Sequence, residues 1–208
     1  IALILVVSLG GLLAFGPKIG SLFGMISVNR NQTVSPRQAN SPPPIFVDVP
    51  LATNKTKINL KGFATPKSSV VLFVNGPKVG SVIADSSGEF LFTNVRLNKA
   101  KNTIFARVGN TKSAVITIEY DGEAPKIELE GLKDKDKVEN LNDRIEIKGK
   151  LNEKAEITIN DRIVIQKPDN TFSFLLGAKE GDVEIKIKAK DLAGNISEKN
   201  LKVQYKKE

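Results

Sequence analysis

Few side chains in this sequence could assemble a reactive site, because its 208 residues include no His, Cys or Trp. That removes the commonest general base, thiol nucleophiles, and the nitrogen and sulfur ligands favoured by zinc and copper. Carboxylate chemistry remains. Asp191 and Asn195 flank a turn and could ligate calcium, but an Asp at a strand end followed by Ala193-Gly194-Asn195 more often caps the turn by accepting from backbone amides. The acids of Lys133-Asp134-Lys135-Asp136-Lys137 lie between lysines that repel a cation, which reads as a solvated loop. Asp121 and Glu123 lack the multi-acid pattern of calcium-bridged joints between domains. Catalytic, cofactor-binding and metal-ligating residues are therefore all expected to be absent, and the chain is not expected to be an enzyme.

Recognition is the chemistry left. Val71, Phe73 and Phe105 stand out of phase with the apolar alternation around them, Val71 and Phe73 opposite Val70/Leu72/Val74 and Phe105 opposite Ile104/Ala106. If the two strands are neighbours in one sheet, these three make an outward patch for a partner. A local bulge, or coverage by the preceding stalk, accounts for the same residues without one. The corresponding positions later in the chain, near Thr158 and at Lys186, are polar. Tyr120 and Tyr205 are the only tyrosines and sit at strand ends, which argues against a stacking platform for sugars.

The elements that position these residues come as a repeat. Pro66-Lys67-Ser68-Ser69-Val70, Asn75-Gly76, Gly88 before Phe90-Leu91-Phe92, and Ile118-Glu119-Tyr120 recur in order as Glu153-Lys154-Ala155-Glu156-Ile157, Asn160-Asp161, Asn170 before Phe172-Ser173-Phe174, and Val203-Gln204-Tyr205. Each stretch alternates apolar and polar residues over short runs: Ile58/Leu60 and Ile116/Ile118 in the first, for example, and Ile145/Ile147, Ile163/Ile165 and Ile185/Ile187/Ala189 in the second. Period two means strands with one covered face. Asn75-Gly76 predicts a type I′ hairpin, and Asn160-Asp161 a weaker version of it. The expected fold class is all-β: two tandem immunoglobulin-like β-sandwiches of about seven strands each, residues 45–121 and 125–208, after an N-terminal transmembrane helix and a Pro-rich linker.

The turn motifs resemble a known family. Ala155-Glu156-Ile157-Thr158-Ile159-Asn160, Asp169-Asn170-Thr171-Phe172 and Lys190-Asp191-Leu192-Ala193-Gly194-Asn195 are similar to the bacterial immunoglobulin-like repeats of the glucodextranase domain B type. The first module keeps Pro66, Asn75-Gly76 and Ser87-Gly88-Glu89-Phe90, but has only Gly109-Asn110-Thr111 at the last turn. The resemblance implies an extracellular binding or spacer role and carries no catalytic residues or cofactors with it.

Residues 1–26 hold two apolar stretches around Gly16-Pro17-Lys18 and are expected to anchor the chain as one span. A cleaved signal ending at Ala14-Phe15-Gly16 and a buried soluble helix are the alternatives. Residues 27–44, polar and then Pro42-Pro43-Pro44, should form a partly stiff stalk reaching roughly 20 to 50 Å. Charge is uneven: residues 1–44 carry three basic and no acidic side chains, residues 45–122 ten against five, and the rest eighteen against eighteen. The excess thus lies beside the expected anchor, where anionic lipid or wall polymer would attract it; a merely solvated face is the plainer reading. Nucleic acid is not an expected partner, since no recognised module accompanies the charge. The expected function is a single-pass cell-membrane protein with extracellular modules. It would adhere to or bind an extracellular protein or envelope polymer, with a ligand-free spacer of the envelope as the alternative.

Overall fold

The computed structural model describes residues 41–98 and 100–208. The expected anchor and all but the last four residues of the stalk lie outside them. Among the described residues no helix is long and apolar enough to cross a membrane.

The first half builds nine strands: β1 (Ile45–Val47), β2 (Ala52–Thr53), β3 (Lys57–Phe63), β4 (Ser69–Val74), β5 (Lys78–Ile83), β6 (Glu89–Arg96), β7 (Ala100–Val108), β8 (Thr111–Lys112) and β9 (Ile116–Tyr120). They form a three-stranded sheet β1-β3-β6 and a sheet β2-β9-β7-β4-β5 with β8 added to β7. The chain crosses between sheets after β1, where Asp48 takes a positive φ; β1 runs antiparallel to β3, and β2 then runs parallel to β9. The second half repeats the plan with β10 (Ile127–Glu130), β11 (Lys137–Glu139), β12 (Arg144–Leu151), β13 (Glu156–Ile159), β14 (Arg162–Val164), β15 (Thr171–Gly177), β16 (Gly181–Lys190) and β17 (Ile196–Lys206). Its sheets are β10-β12-β15 and β11-β17-β16-β13-β14, with β11 parallel to β17. The excess over seven strands arises because the first strand of each half splits between two sheets and β8 adds a short rider.

Alternation decides what lies inside. Along β3 every second residue from Ile58 is buried, and along β12 every second residue from Ile145. Leu60, Leu72, Phe90, Ile104 and Ile118 pack one core between the first pair of sheets; Ile147, Ile157, Phe172, Ile187 and Tyr205 pack a second core between the other pair. Burying each such side chain fully contributes about 1.5 to 3 kcal/mol.

One glycine in each half is required by close approach. Gly62 pairs with Phe90 and Gly149 with Phe172, and the ring of each Phe lies over its glycine. A Cβ on Gly149 would sit 2.5 Å from the Glu128 carbonyl and 2.6 Å from the Phe172 ring; on Gly62 it would fall on the Ile45 carbonyl and the Phe90 ring. The surrounding runs, Ile58-Asn59-Leu60-Lys61-Gly62 and Ile145-Glu146-Ile147-Lys148-Gly149, are a repeat signal in their own right.

The Ile163/Ile165 pair is a correction. Both are exposed, at 75% and 84%, while Val164 between them is in the core. The hairpin sets this phase: Asn160 and Asp161 both take positive φ, so Ile159 pairs with Arg162 and Ile157 with Val164, sending Val164 inward.

Candidate functional site

Phe73 and Phe105 face each other across β4 and β7. Asn75 and Gly76, both at positive φ, turn the β4–β5 hairpin, and the Asn75 side chain accepts from the Thr103 amide at 3.0 Å, which fixes β7 alongside. With Leu72 and Ile104 pointing inward, parity puts Val71, Phe73 and Phe105 on the outer face. The pairing of β4 with β5 does slip, between Leu72 and Phe73, leaving Val79 as the extra residue, but the register of β4 with β7 is unbroken.

The two rings stack 4.7 Å apart and 6° from parallel. The Lys112 ammonium lies 4.0 Å from the Phe105 centroid, and the Arg107 guanidinium 5.5 and 5.7 Å from the two centroids. The two rings are therefore half-buried rather than fully open, as Val71 is too. The stack contributes about 0.5 to 1.5 kcal/mol and the close, exposed Lys112 contact about 0.5 to 1 kcal/mol.

The second half has a different surface at the same place. Lys186 donates to Asn160 as Thr103 does to Asn75, so Lys186 is the counterpart of Thr103. The counterpart of Phe105 is Lys188, paired with Thr158, which moves the expected position by two residues. Val71 and Arg107 become Glu156 and Lys190. Glu198 lies 3.8 Å from Lys186 and 3.9 Å from Lys188, so the charges of that face are largely balanced within it.

A second cluster forms where the halves meet. Asp121 follows β9, Glu153 follows β12 and Asp191 follows β16, and one carboxylate oxygen from each lies within 4.8 Å of the others. Asp191 is 7% exposed; its two oxygens accept from the backbone and side-chain amides of Asn195, both at 2.8 Å. The same Asn195 side chain donates to the Asp121 carbonyl at 2.9 Å, the Asn54 amide donates to the Ala193 carbonyl at 3.1 Å, and the Ser197 hydroxyl donates to the Pro125 carbonyl. The Asp191–Asn195 turn thus caps itself and grips the segment before it. Burial, followed by the charges of Asp121, Asp191 and Glu123, raises the Glu153 pKa. Carboxylate oxygens at this spacing suit a hard cation, although those of Asp191 are already engaged by Asn195. Sequence reasoning missed Glu153 as the third acid, because no local spacing connects it to Asp121 or Asp191.

Two further acids are turn caps. Asp85 accepts from the Ser87 hydroxyl and the Ser87 and Glu89 amides; Asp169 accepts from the Thr171 hydroxyl and amide. These bonds, the hydroxyl first in each case, hold both carboxyls below the ordinary range. The acids of 133–137 also serve their loop: Asp136 accepts from the Lys133 amide and Asp134 from the Lys202 amide.

Comparison with solved structures places this architecture. The fibronectin(III)-like modules of Clostridium thermocellum CbhA superpose with a TM-score of 0.51 at 14% identity, covering 79% of this chain and 94% of theirs. The fold is immunoglobulin- and fibronectin-III-like. A titin fragment, I67–I69, matches at a TM-score of 0.45 with 12% identity over 79% of this chain and 66% of its own. A calcium-stabilised, ice-binding adhesin of an Antarctic bacterium matches at 0.38 with 13% identity over 80% and 49%. No family model matches the chain. Among curated proteins, bacillopeptidase F of Bacillus subtilis (strain 168) is 29% identical over 154 residues, 71% of this chain, and the match spans only 10% of that protease's length.

Proposed function

We propose that this chain is a cell-surface binding protein whose first sandwich makes the contact, through the outer face that carries Val71, Phe73 and Phe105. The observation that carries this reading is the contrast between equivalent faces: a stacked aromatic pair set among unpaired cations in the first half, and Thr158 and Lys188 with balanced charge in the second. In this reading residues 1–26 anchor the chain in the cell membrane, 27–44 form the stalk, and 45–121 and 125–208 are two extracellular domains of the glucodextranase domain B type. No catalytic role is proposed.

The spacer reading has two observations in its favour. Lys112 and Arg107 already cover the rings, and the Asn195 and Ser197 hydrogen bonds stiffen the joint. Cells carrying the full chain or its Phe73→Ser/Phe105→Ser variant separate the two readings when compared for attachment to one another and to isolated envelope. Attachment should fall with surface level unchanged; unaltered attachment would leave the spacer. External protease on intact cells should digest residues 45–208 before any cytoplasmic marker, and protection would overturn the topology.

A further inference from the structure

We infer that the partner of the aromatic and cationic face of the first sandwich is an extended, carboxylate-bearing polysaccharide. The inference rests on the binding role proposed for that face and names what binds there.

Three observations select an anion. The outer face presents Lys78, Lys101, Arg107 and Lys112 against one carboxylate, Glu119, because partners in register share a face. Among the described residues none of these four cations has a carboxylate within ion-pair distance, whereas the equivalent second face pairs its lysines with Glu198. The rings add to the same field. An aromatic ring is negative on its face and positive at its edge. Phe73 and Phe105 turn a face to each other, and Phe105 also meets the Lys112 ammonium, so their negative faces are largely taken up within the patch. The patch attracts carboxylates and offers little open ring face for a neutral sugar or a ligand cation.

Shape and exposure then choose among anions. Lys101 and Arg107 lie six residues apart on β7, about 20 Å at about 3.3 Å per residue, too far for one small acid and suited to a chain lying along the strand. Insertion into a bilayer needs apolar side chains that reach well into the headgroup boundary. The rings here are half-buried under their own cations. A folded protein gains most by desolvating an apolar centre, and that centre is already partly covered. A polyanion needs only the charges and the guanidinium fork of Arg107, which receives a carboxylate bidentately.

The test uses the full 208-residue chain in a neutral detergent, with polygalacturonate as the probe and poly-L-glutamate and phosphatidylglycerol vesicles beside it. Binding to polygalacturonate should weaken about tenfold or more in Arg107→Gln/Lys112→Gln, as loss of charge-assisted hydrogen bonds requires. It should also fall as the screening length shrinks from about 10 Å at 0.1 M salt to about 3 Å at 1 M. Lys186→Gln/Lys188→Gln removes the same charge from the second sandwich and should change affinity less than about twofold. Equal losses in the two variants, or no binding at low salt, would overturn the inference. So would stronger binding of poly-L-glutamate or the vesicles with the same dependence on Arg107 and Lys112, which moves the face to an acidic protein or a membrane. If no polymer binds while Phe73→Ser/Phe105→Ser still lowers cell attachment, the polysaccharide fails and the binding role stands. If attachment is also unchanged, both fall.

Discussion

Two residue pairs occupy one place in the two halves and could hardly be less alike. Phe73 and Phe105 stack on the outer face of the first; Thr158 and Lys188 stand there in the second, among lysines balanced by Glu198. Inside, the halves agree closely. Each sets a Phe over a glycine, and each turns one hairpin, β4–β5 or β13–β14, on residues at positive φ, with an Asn that reaches back to hold the neighbouring strand. Folding therefore constrains the inner face and the turns, and leaves the outer face free to differ.

The sharpest way to break the shared interior is to fill the glycines. Gly62→Val and Gly149→Val each force a side chain into a backbone carbonyl and a buried ring; overpacking costs about 1 to 3 kcal/mol, and more where, as here, the obstacle includes backbone. Denaturant titration should show comparable losses for the two variants. If only one half responds, the two interiors do not work by the same device.

The joint gives the next largest effect. Asn195→Ala removes the donor shared by the Asp121 carbonyl and the Asp191 carboxylate, leaving a buried carboxylate short of a partner, which costs about 1 to 3 kcal/mol. Small-angle scattering should show a wider range of angles between the halves. Asn110, in the last turn of the first half, makes no such bridge among the described residues, and Asn110→Ala should change neither measurement. An equal response at Asn110 would remove the reason to treat the Asp191–Asn195 turn as a clasp.

How much of this could be read from the chain depends on the range of the forces involved. The hairpins at Asn75-Gly76 and Asn160-Asp161 were legible because positive φ demands particular residues at particular steps. The nearness of Phe73 to Phe105 was legible from strand parity once the strands were taken as neighbours. The phase of β14 was not: Ile163 and Ile165 alternate as well as any core pair, and at a short edge strand only the turn decides which parity faces in. The meeting of Asp121, Glu153 and Asp191 was illegible for a different reason, since it depends on which loops of the two halves touch. The glycines were missed although the Ile-x-x-Lys-Gly run is present twice.

Exchanging outer faces should cost less. Phe73→Thr/Phe105→Lys installs the second half's residues in the first and removes the stack and the close Lys112 contact, about 1 to 2.5 kcal/mol together. The reverse exchange, Thr158→Phe/Lys188→Phe, should change stability by less than about 1 kcal/mol, because cross-strand pairs contribute about 0.2 to 1 kcal/mol. A loss of several kcal/mol in the first exchange, read from a thermal melt, would mean that the rings belong to the core and would end their use as a binding surface.

The smallest effect tests the joint by its charge. Glu153 has a raised pKa, first from burial and then from Asp121, Asp191 and Glu123, so the folded chain holds its proton more tightly than the unfolded one. Stability must then fall as pH rises from the ordinary glutamate value, about 4.3, through the raised folded value, and the deficit stays constant above that. Asp85 and Asp169 act in the opposite sense and in a lower window, since their lowered values mean stability is lost as pH drops below the ordinary aspartate range. A single titration mixes these effects, whereas the difference between wild type and Glu153→Gln isolates the joint. Gln keeps the shape without the charge, so the variant should be slightly more stable at pH 7, and the two curves should converge below about pH 4. The Asp85 and Asp169 windows should be untouched. A variant less stable than wild type at pH 7 would mean that Glu153 draws more from its surroundings as an anion than repulsion costs it, and the joint would then be held by that charge rather than in spite of it.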